Sequence, residues 1–391
     1  MILVIAPYTN TSDIQSTNLG ASRKIEIIIN ILYQIDKDIV LVNSALNSNK
    51  IKNHLSTNKI MISDIEIEEI TPPVFSKFRK FSKLLNLFHI DLLINHIKKN
   101  YIDPKLIWFY NGYSFEMAFA IKAKNKFNTP MILEFEDWHF SRSNFLNIKA
   151  SLDYIYWRAA VRNMRSSFVV NSILENKMRP FVNNVDLLPG VVPNIIKNTK
   201  MKIPFSNLEY DHKIHIGYFG GLYEEKGADL ILNLVNELPS NYIFHITGSG
   251  NLNQAFIDLE KKLDGQLIFY GKVNENKLYQ LIGQCDVILN PHKLIENFNN
   301  GIFPFKVVEA ISSGRLVIST PLPSKDLEGI LNGIILVSDS LDSFKKTILE
   351  SPKIYKDNFI LINNASKLAI DLYGENSILF KINEIIEANS I

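Results

Sequence analysis

The chain has 391 residues, 46% of them hydrophobic. That is length for two to three domains of roughly 150 residues, each with its own core, and it excludes disorder as the main state. Runs of 18 apolar residues and a secretory signal are both lacking, which predicts a cytoplasmic protein, and the lone Cys285 gives disulfide, zinc and redox chemistry little footing. The net charge is +2, but 25 Lys and Arg stand against 17 Asp and Glu in residues 1–200, and 17 against 23 in 201–391. Without a Lys/Arg stripe this argues against nucleic acid as a partner and favours attraction of the first half to an anionic surface.

Short apolar runs alternate with amphipathic stretches of helix length. In the first half, residues 2–7, 38–43, 106–110, 131–135, 168–171 and 185–190 read as buried parallel strands, because β-branched or aromatic residues follow one another without polar alternation. The second half repeats the arrangement at 214–220, 242–248, 267–271, 287–291, 316–320 and 334–337. The prediction is an α/β protein of two doubly wound, Rossmann-like domains, 1–195 and 205–372, separated by the polar stretch 193–211. The terminal helix, 373–391, is expected to pack back on the first domain. Binding loops in such sheets sit at the carboxyl ends of the strands, so two ligand sites are expected to face one another across a cleft.

In chain order, the first feature is Asp36-Lys37-Asp38, read as a solvated turn before a strand and not as a metal site. Next comes VFSKFRKFSKLLNLF (74–88), with apolar residues at 78, 81, 84, 85 and 88 on one helical face and Lys77, Arg79, Lys80 and Lys83 beside it. This suits an interfacial helix drawn to anionic lipid, and Arg158, Arg162 and Arg165 form a second basic stretch. The plain alternative packs the apolar face on the sheet. MILEFEDWHF then sets Glu136, Asp137 and His139 just past a strand's carboxyl end, where they either meet a ligand or cap the next helix.

IGYFGGLYEEKGADLILNLV (216–235) ends a strand at Phe219, turns through Gly220 and Gly221, and opens a helix after Lys226-Gly227. Glycines let an anion approach the backbone, the helix start offers free N–H groups, and a lysine adds a charge, so the pattern is an anion site or a tight turn with a solvated lysine. It is neither a G-x-G-x-x-G nor a Walker sequence. In NNGIFPFKVVEAISSGRLVIST (299–320), Pro304 suits a helix start, Lys306 and Glu309 share a face, and Gly314 ends the helix. A carboxylate there can accept bonds from a vicinal diol while the N–H groups of 301–303 face an anion.

The order G-G-L-x-x-x-K-G, T-G-S-G-N (247–251), F-Y-G-K-V (269–273), C-D-V-I-L-N-P (285–291) and F-P-F-K-V-V-E-A-I-S-S-G-R (303–315) resembles the donor domain of retaining glycosyltransferases of family 4, which have the GT-B fold. The likeness is good over about 214–330. It is looser over 1–195, where N-L-G-A-S-R (18–23) resembles the family's glycine loop. The resemblance implies that Lys226 and the Gly220–Gly221 turn hold a donor diphosphate and that Glu309 holds the ribose. It places Lys272 and Val273 on the nucleobase, Asn300, Gly301, Ile302 and Phe303 around the donor, and Gly20 and Arg23 on the opposing side. Two departures stand out. Gly221 replaces a common arginine, with Lys306 as the substitute charge, and Gly301, preceded by Asn299 and Asn300, replaces the first glutamate of E-x7-E, giving a P-x-K-x-x-E form.

The resemblance gives Glu136 and Asp137 the acceptor hydroxyl or the oxocarbenium-like sugar, with Lys226 and Glu309 as the donor-side catalytic groups. Leaving-group charge is then met by lysines and helix N-termini, with no metal and no cofactor besides the nucleotide sugar. The expected activity is transfer of a hexose, with retention, onto a glycan or lipid-linked acceptor of a bacterial surface polysaccharide (capsule, O-antigen or lipopolysaccharide), at the inner face of the membrane. The rival readings are a GT-B epimerase or hydrolase, which turns over donor without acceptor, and a non-catalytic nucleotide-sugar or glycan binding protein.

Overall fold

A computed structural model describes the chain except residues 11–18, 47–50, 77–78, 143–147, 199–200, 294–304, 323–326, 328 and 389–391. For 19, 79–81, 141–142, 197–198 and 210–211 it describes the backbone alone. The chain divides into two units.

The first unit takes in Met1–Leu188 and Asn376–Ile391. Its elements are β1 (Ile2–Ala6), α1 (Leu19–Ile35), β2 (Ile39–Asn43), β3 (Ser56–Ile62), β4 (Ile65–Thr71), α2 (Arg79–Asn86), α3 (Ile90–Asn100), β5 (Leu106–Tyr110), α4 (Ser114–Ala123), β6 (Met131–Phe135), α5 (Ile148–Ala160), β7 (Ser166–Val169), α6 (Ser172–Met178) and β8 (Asn184–Leu187). They form one sheet in the order β3-β4-β2-β1-β5-β6-β7-β8, parallel except for β3. Every residue of β1, β2, β5 and β6 is buried, which is why these strands are unbroken apolar runs. Because β1 pairs with β2 on one side and β5 on the other, the strand order reverses between β1 and β5, and a ligand crevice is expected outside their carboxyl ends.

The hairpin β3–β4 is a departure from the sequence reading, which placed no strands between 43 and 106. The two strands pair antiparallel from Ser56↔Thr71 to Ile62↔Ile65, with Ser63 at φ 53 in the turn. β3 is an edge strand with Thr57, Asn58 and Lys59 exposed, so it lacks the apolar run that marked the others. The period-two pattern of IEIEEIT in β4 was the signal available.

The apolar face expected of 74–88 is also divided differently. In α2, Ser82 and Asn86 are buried, with Ser82 Oγ donating to the Ser76 carbonyl at 3.0 Å and Asn86 Nδ2 to that of Pro73 at 2.9 Å. These polar anchors take the inward face, so Leu84 stands 40% and Phe88 77% exposed, beside exposed Lys83. Lys77 and the side chains of Arg79 and Lys80 lie outside the described residues.

The second unit takes in Pro189–Phe298 and Phe303–Glu375. It comprises α7 (Asn194–Asn198), α8 (Leu208–Asp211), β9 (Ile214–Phe219), α9 (Ala228–Glu237), β10 (Tyr242–Thr247), α10 (Asn253–Lys262), β11 (Leu267–Phe269), α11 (Glu275–Gln284), β12 (Val287–Asn290), α12 (Phe305–Ser312), β13 (Leu316–Ser319), β14 (Ile334–Leu336), α13 (Leu341–Leu349) and α14 (Ser351–Tyr373). The sheet is wholly parallel in the order β11-β10-β9-β12-β13-β14, reversing between β9 and β12. Its core joins Ile216, Tyr218, Phe244, Ile246, Val287 and Leu289 of the sheet to Leu230, Ile231, Leu234 and Val235 of α9, the helical stripe written in the sequence.

The last helix, α15 (Glu375–Glu387), belongs to the first unit after its first residue. There Lys381 lies 3.5 Å from Asp186, and Ile378, Ile382 and Ile385 are buried. Among the described residues no helix is long and apolar enough to cross a membrane.

Candidate functional site

The switch point of the second unit gathers its charged residues. β9 ends at Phe219, and the Gly220 N–H continues the ladder to the Thr247 carbonyl at 3.1 Å. Among the described residues no acceptor takes the next N–H, that of Gly221. The buried Tyr218 hydroxyl donates to the Gly221 carbonyl at 2.8 Å and also lies 3.2 Å from the Lys226 carbonyl, tying the two ends of the 221–226 loop together. Gly227 follows at φ 73, and a Cβ there would sit 1.9 Å from the Pro291 carbonyl oxygen, so only glycine brings the start of α9 against the end of β12. The K-G pair read from the sequence therefore has a steric cause as well as an electrostatic one.

Lys226 Nζ lies 2.9 Å from His292 Nε2 and 3.8 Å from the exposed carboxylate of Glu225, a pair that solvent screens. Lys306, on the first turn of α12, extends to the same turn, where a Cβ on Gly220 would meet its Nζ at 3.3 Å. Its ammonium lies 4.5 Å from the centre of the Tyr218 ring. Burial, and then the neighbouring charge of Lys226, push the Lys306 ammonium down to about 7. Burial, followed by the same lysine, pushes His292 down to about 4, so this imidazole is neutral at ordinary pH. Two lysines held together against their mutual repulsion, beside the Gly221 N–H at a switch point, are the chemistry that suits an anion.

Glu309, one turn further along α12, is 2% exposed and accepts a 2.6 Å hydrogen bond from Tyr279 of α11. Lys272 and Val273 are half-buried just past β11, after Gly271 at φ 63. Asn300, Gly301, Ile302 and Phe303 lie outside the described residues, as do Asn299 and Pro304.

The first unit carries a second charged cluster at its own switch point. Glu136 follows β6, and Lys24 of α1 joins it to Glu134. The Lys24 ammonium is 3.0 Å from Glu134, whose other oxygen accepts from Trp108 Nε1 at 3.1 Å. Lys24 and Glu134 are both buried. Burial alone would lower the Lys24 ammonium, but the two carboxylates more than reverse this and hold it above its usual range. Burial raises the Glu134 carboxyl, and the Lys24 charge only partly offsets that. Asp137 is half-buried, while His139 packs on Tyr113 and Phe140 and lies 3.5 Å from the buried Asp153. Gly20 is exposed with open space around it, and Arg23 is half-buried. Asp36 binds Lys105 at 2.8 Å and the Asp38 N–H at 2.9 Å.

Sequence reasoning missed His292, Tyr279, Lys24 and Glu134. Glu134 had a signal, a carboxylate inside an otherwise apolar buried strand, which must find a partner. His292 stands two residues past the end of β12; Tyr279 had no signal beyond helical spacing.

Residues 213–351 match the model for glycosyl transferases group 1. No curated protein sequence matches the chain. Among solved structures, sucrose-phosphate synthase from Thermosynechococcus elongatus superposes with a TM-score of 0.68 at 12% identity, covering 99% of this chain and 98% of that one. HepE from Anabaena in complex with UDP gives 0.66 at 14% identity, covering 99% of both chains. The lipopolysaccharide outer core galactosyltransferase WaaB gives 0.62 at 15% identity, also covering 99% of both. The fold is GT-B, two Rossmann-like domains, and with the group 1 match the chain is a glycosyltransferase.

Proposed function

We propose that this glycosyltransferase moves a hexose, with retention, from a nucleotide diphosphate sugar to a glycan or lipid-linked acceptor of a bacterial surface polysaccharide. The observation that carries this reading is the convergence of Lys226 and Lys306 on the Gly220–Gly221 turn at the β9/β12 switch point. Cleavage of the anomeric bond develops charge on the departing diphosphate, and fixed cations with a free N–H stabilise it most where water is excluded. Glu309, oriented by Tyr279, is assigned the ribose hydroxyls. Glu136, oriented by Lys24, and Asp137 are assigned the acceptor hydroxyl. The lysines carry this neutralisation without a divalent ion. HepE has been solved with UDP and with UDP-glucose, which puts UDP-sugars first among candidate donors.

The test is donor-dependent thermal shift with UDP-, GDP-, ADP- and CMP-sugars, then nucleotide release in EDTA with and without a glycolipid extract. One donor is expected to raise the melting temperature by mass action and to release nucleotide only when acceptor is present. Release without acceptor would instead indicate an epimerase or hydrolase, and binding with no release a non-catalytic binder.

Membrane contact belongs to the same reading, supported by the outward Leu84 and Phe88 beside Lys83 and by the exposed Ile148 and Ile155 of α5 near Arg158 and Arg162. The protein is expected to float with anionic vesicles, and the charge reversal of Lys77, Arg79, Lys80 and Lys83 to remain at the bottom of the gradient. Equal flotation of both would remove this part.

A further inference from the structure

The residues after β12 are fastened to the Lys226 turn at four points. Gly227 meets the Pro291 carbonyl closely, the Lys293 N–H donates to the Glu225 carbonyl at 3.2 Å, and Lys293 Nζ pairs with Asp229 at 2.8 Å. The fourth is the 2.9 Å contact of Lys226 Nζ with His292 Nε2. The His292 backbone is fixed in turn, since its carbonyl accepts from Thr320 Oγ1 at 2.5 Å.

The direction of the fourth bond follows from valence. An ammonium has only donors, so Nε2 must accept, the ring must be neutral, and its one proton sits on Nδ1. That nitrogen lies 3.1 Å from the Lys293 carbonyl, an acceptor that suits an N–H. The ring is 3% exposed, so each of its nitrogens has a stated partner in a largely dry setting. A lysine side chain has four rotatable bonds, and a fixed acceptor removes much of that freedom before an anion arrives.

We propose that His292 is a positioning residue for the donor: its neutral Nε2 holds the Lys226 ammonium at the Gly220–Gly221 turn, so that the diphosphate meets a lysine already in place. This rests on the reading of Lys226 as a diphosphate ligand. It gives His292, within N-P-H-K (290–293), a role at the donor site that the residue pattern alone did not mark.

The test is a double-mutant cycle read by calorimetry with inorganic pyrophosphate and with UDP, alongside donor KM and kcat. His292→Phe keeps the ring volume and loses the acceptor, and binding is expected to weaken by roughly tenfold to a hundredfold, as for a lost bond to a charged group. His292→Gln, whose Oε1 can stand where Nε2 stood, is expected to restore most of the affinity. In a Lys226→Ala background the Phe change should cost nothing further, because its target is gone. Should the Phe variant fail to fold, His292→Asn, too short to reach Lys226, takes its place with the same expected loss. Unchanged affinity in the Phe or Asn variant, with Lys226→Ala weakened, would overturn the role of His292 alone. Equal losses for Phe and Gln, or additive losses in the double variant, would reduce it to packing. Full affinity in Lys226→Ala would instead remove the underlying reading of the donor site.

Discussion

Lys226→Ala is expected to lower kcat/KM by about 10²–10³, the cost typical of removing one donor that faces charge developing in a transition state. The lysine is 31% exposed and lies 3.8 Å from the carboxylate of Glu225, which is 58% exposed, so solvent screens that pair. The fold does not depend on its ammonium, because the loop is held by its own backbone: the Lys226 N–H donates to the Tyr223 carbonyl and the Gly227 N–H to that of Glu224. The melting temperature of the variant should therefore stay near that of the parent while turnover collapses. Steady-state kinetics with the donor found by thermal shift is the check, and activity within threefold of the parent would refute the assignment.

Lys306→Met is expected to separate stability from function more sharply. The native ammonium near 7 lies well below the 10.5 of an unfolded lysine, so between those values the unfolded chain binds more protons than the native one. Stability then rises with pH across that window, and the cost of the buried cation is fully present at pH 7 and below. Methionine fills the space beside Tyr218 without that cost, so the variant should be more stable by about 1–2 kcal/mol at or below neutral pH, as for other single stabilising changes. The advantage should fade as pH approaches 10.5.

The same variant should lose donor affinity. In the parent, an arriving diphosphate should raise the Lys306 ammonium and take up protons at slightly alkaline pH. Calorimetry in two buffers of different ionisation enthalpy is expected to show uptake for the parent and none for the variant. Equal uptake in both, or a destabilised variant, would count against the account.

Much of the fold was legible because parallel strands buried on both faces must be apolar throughout, and each of the twelve runs read from the sequence overlaps a strand. The β3–β4 hairpin escaped because an edge strand such as STNKIMI buries little. In the 74–88 helix, periodicity marked the apolar residues but not which face turns inward. Ser82 and Asn86 decide that through bonds to Ser76 and Pro73, loop carbonyls that no pattern announces.

At the site, Lys226 was visible beside its glycines, since everything that makes the turn is local. Its partner His292 is 66 residues away, and Lys24 reaches Glu136 across 112, so neither pairing leaves a mark in a single sequence. Tyr279, which fixes Glu309, looks like any core residue of an amphipathic helix.

The most direct measurement is a structure of the protein with the nucleoside diphosphate selected by the donor screen. The account predicts phosphate oxygens within about 3 Å of Lys226 Nζ, Lys306 Nζ and the Gly221 N–H, the ribose hydroxyls on Glu309, and His292 still bonded to Lys226. A diphosphate bound elsewhere, with both lysines unengaged, would contradict it.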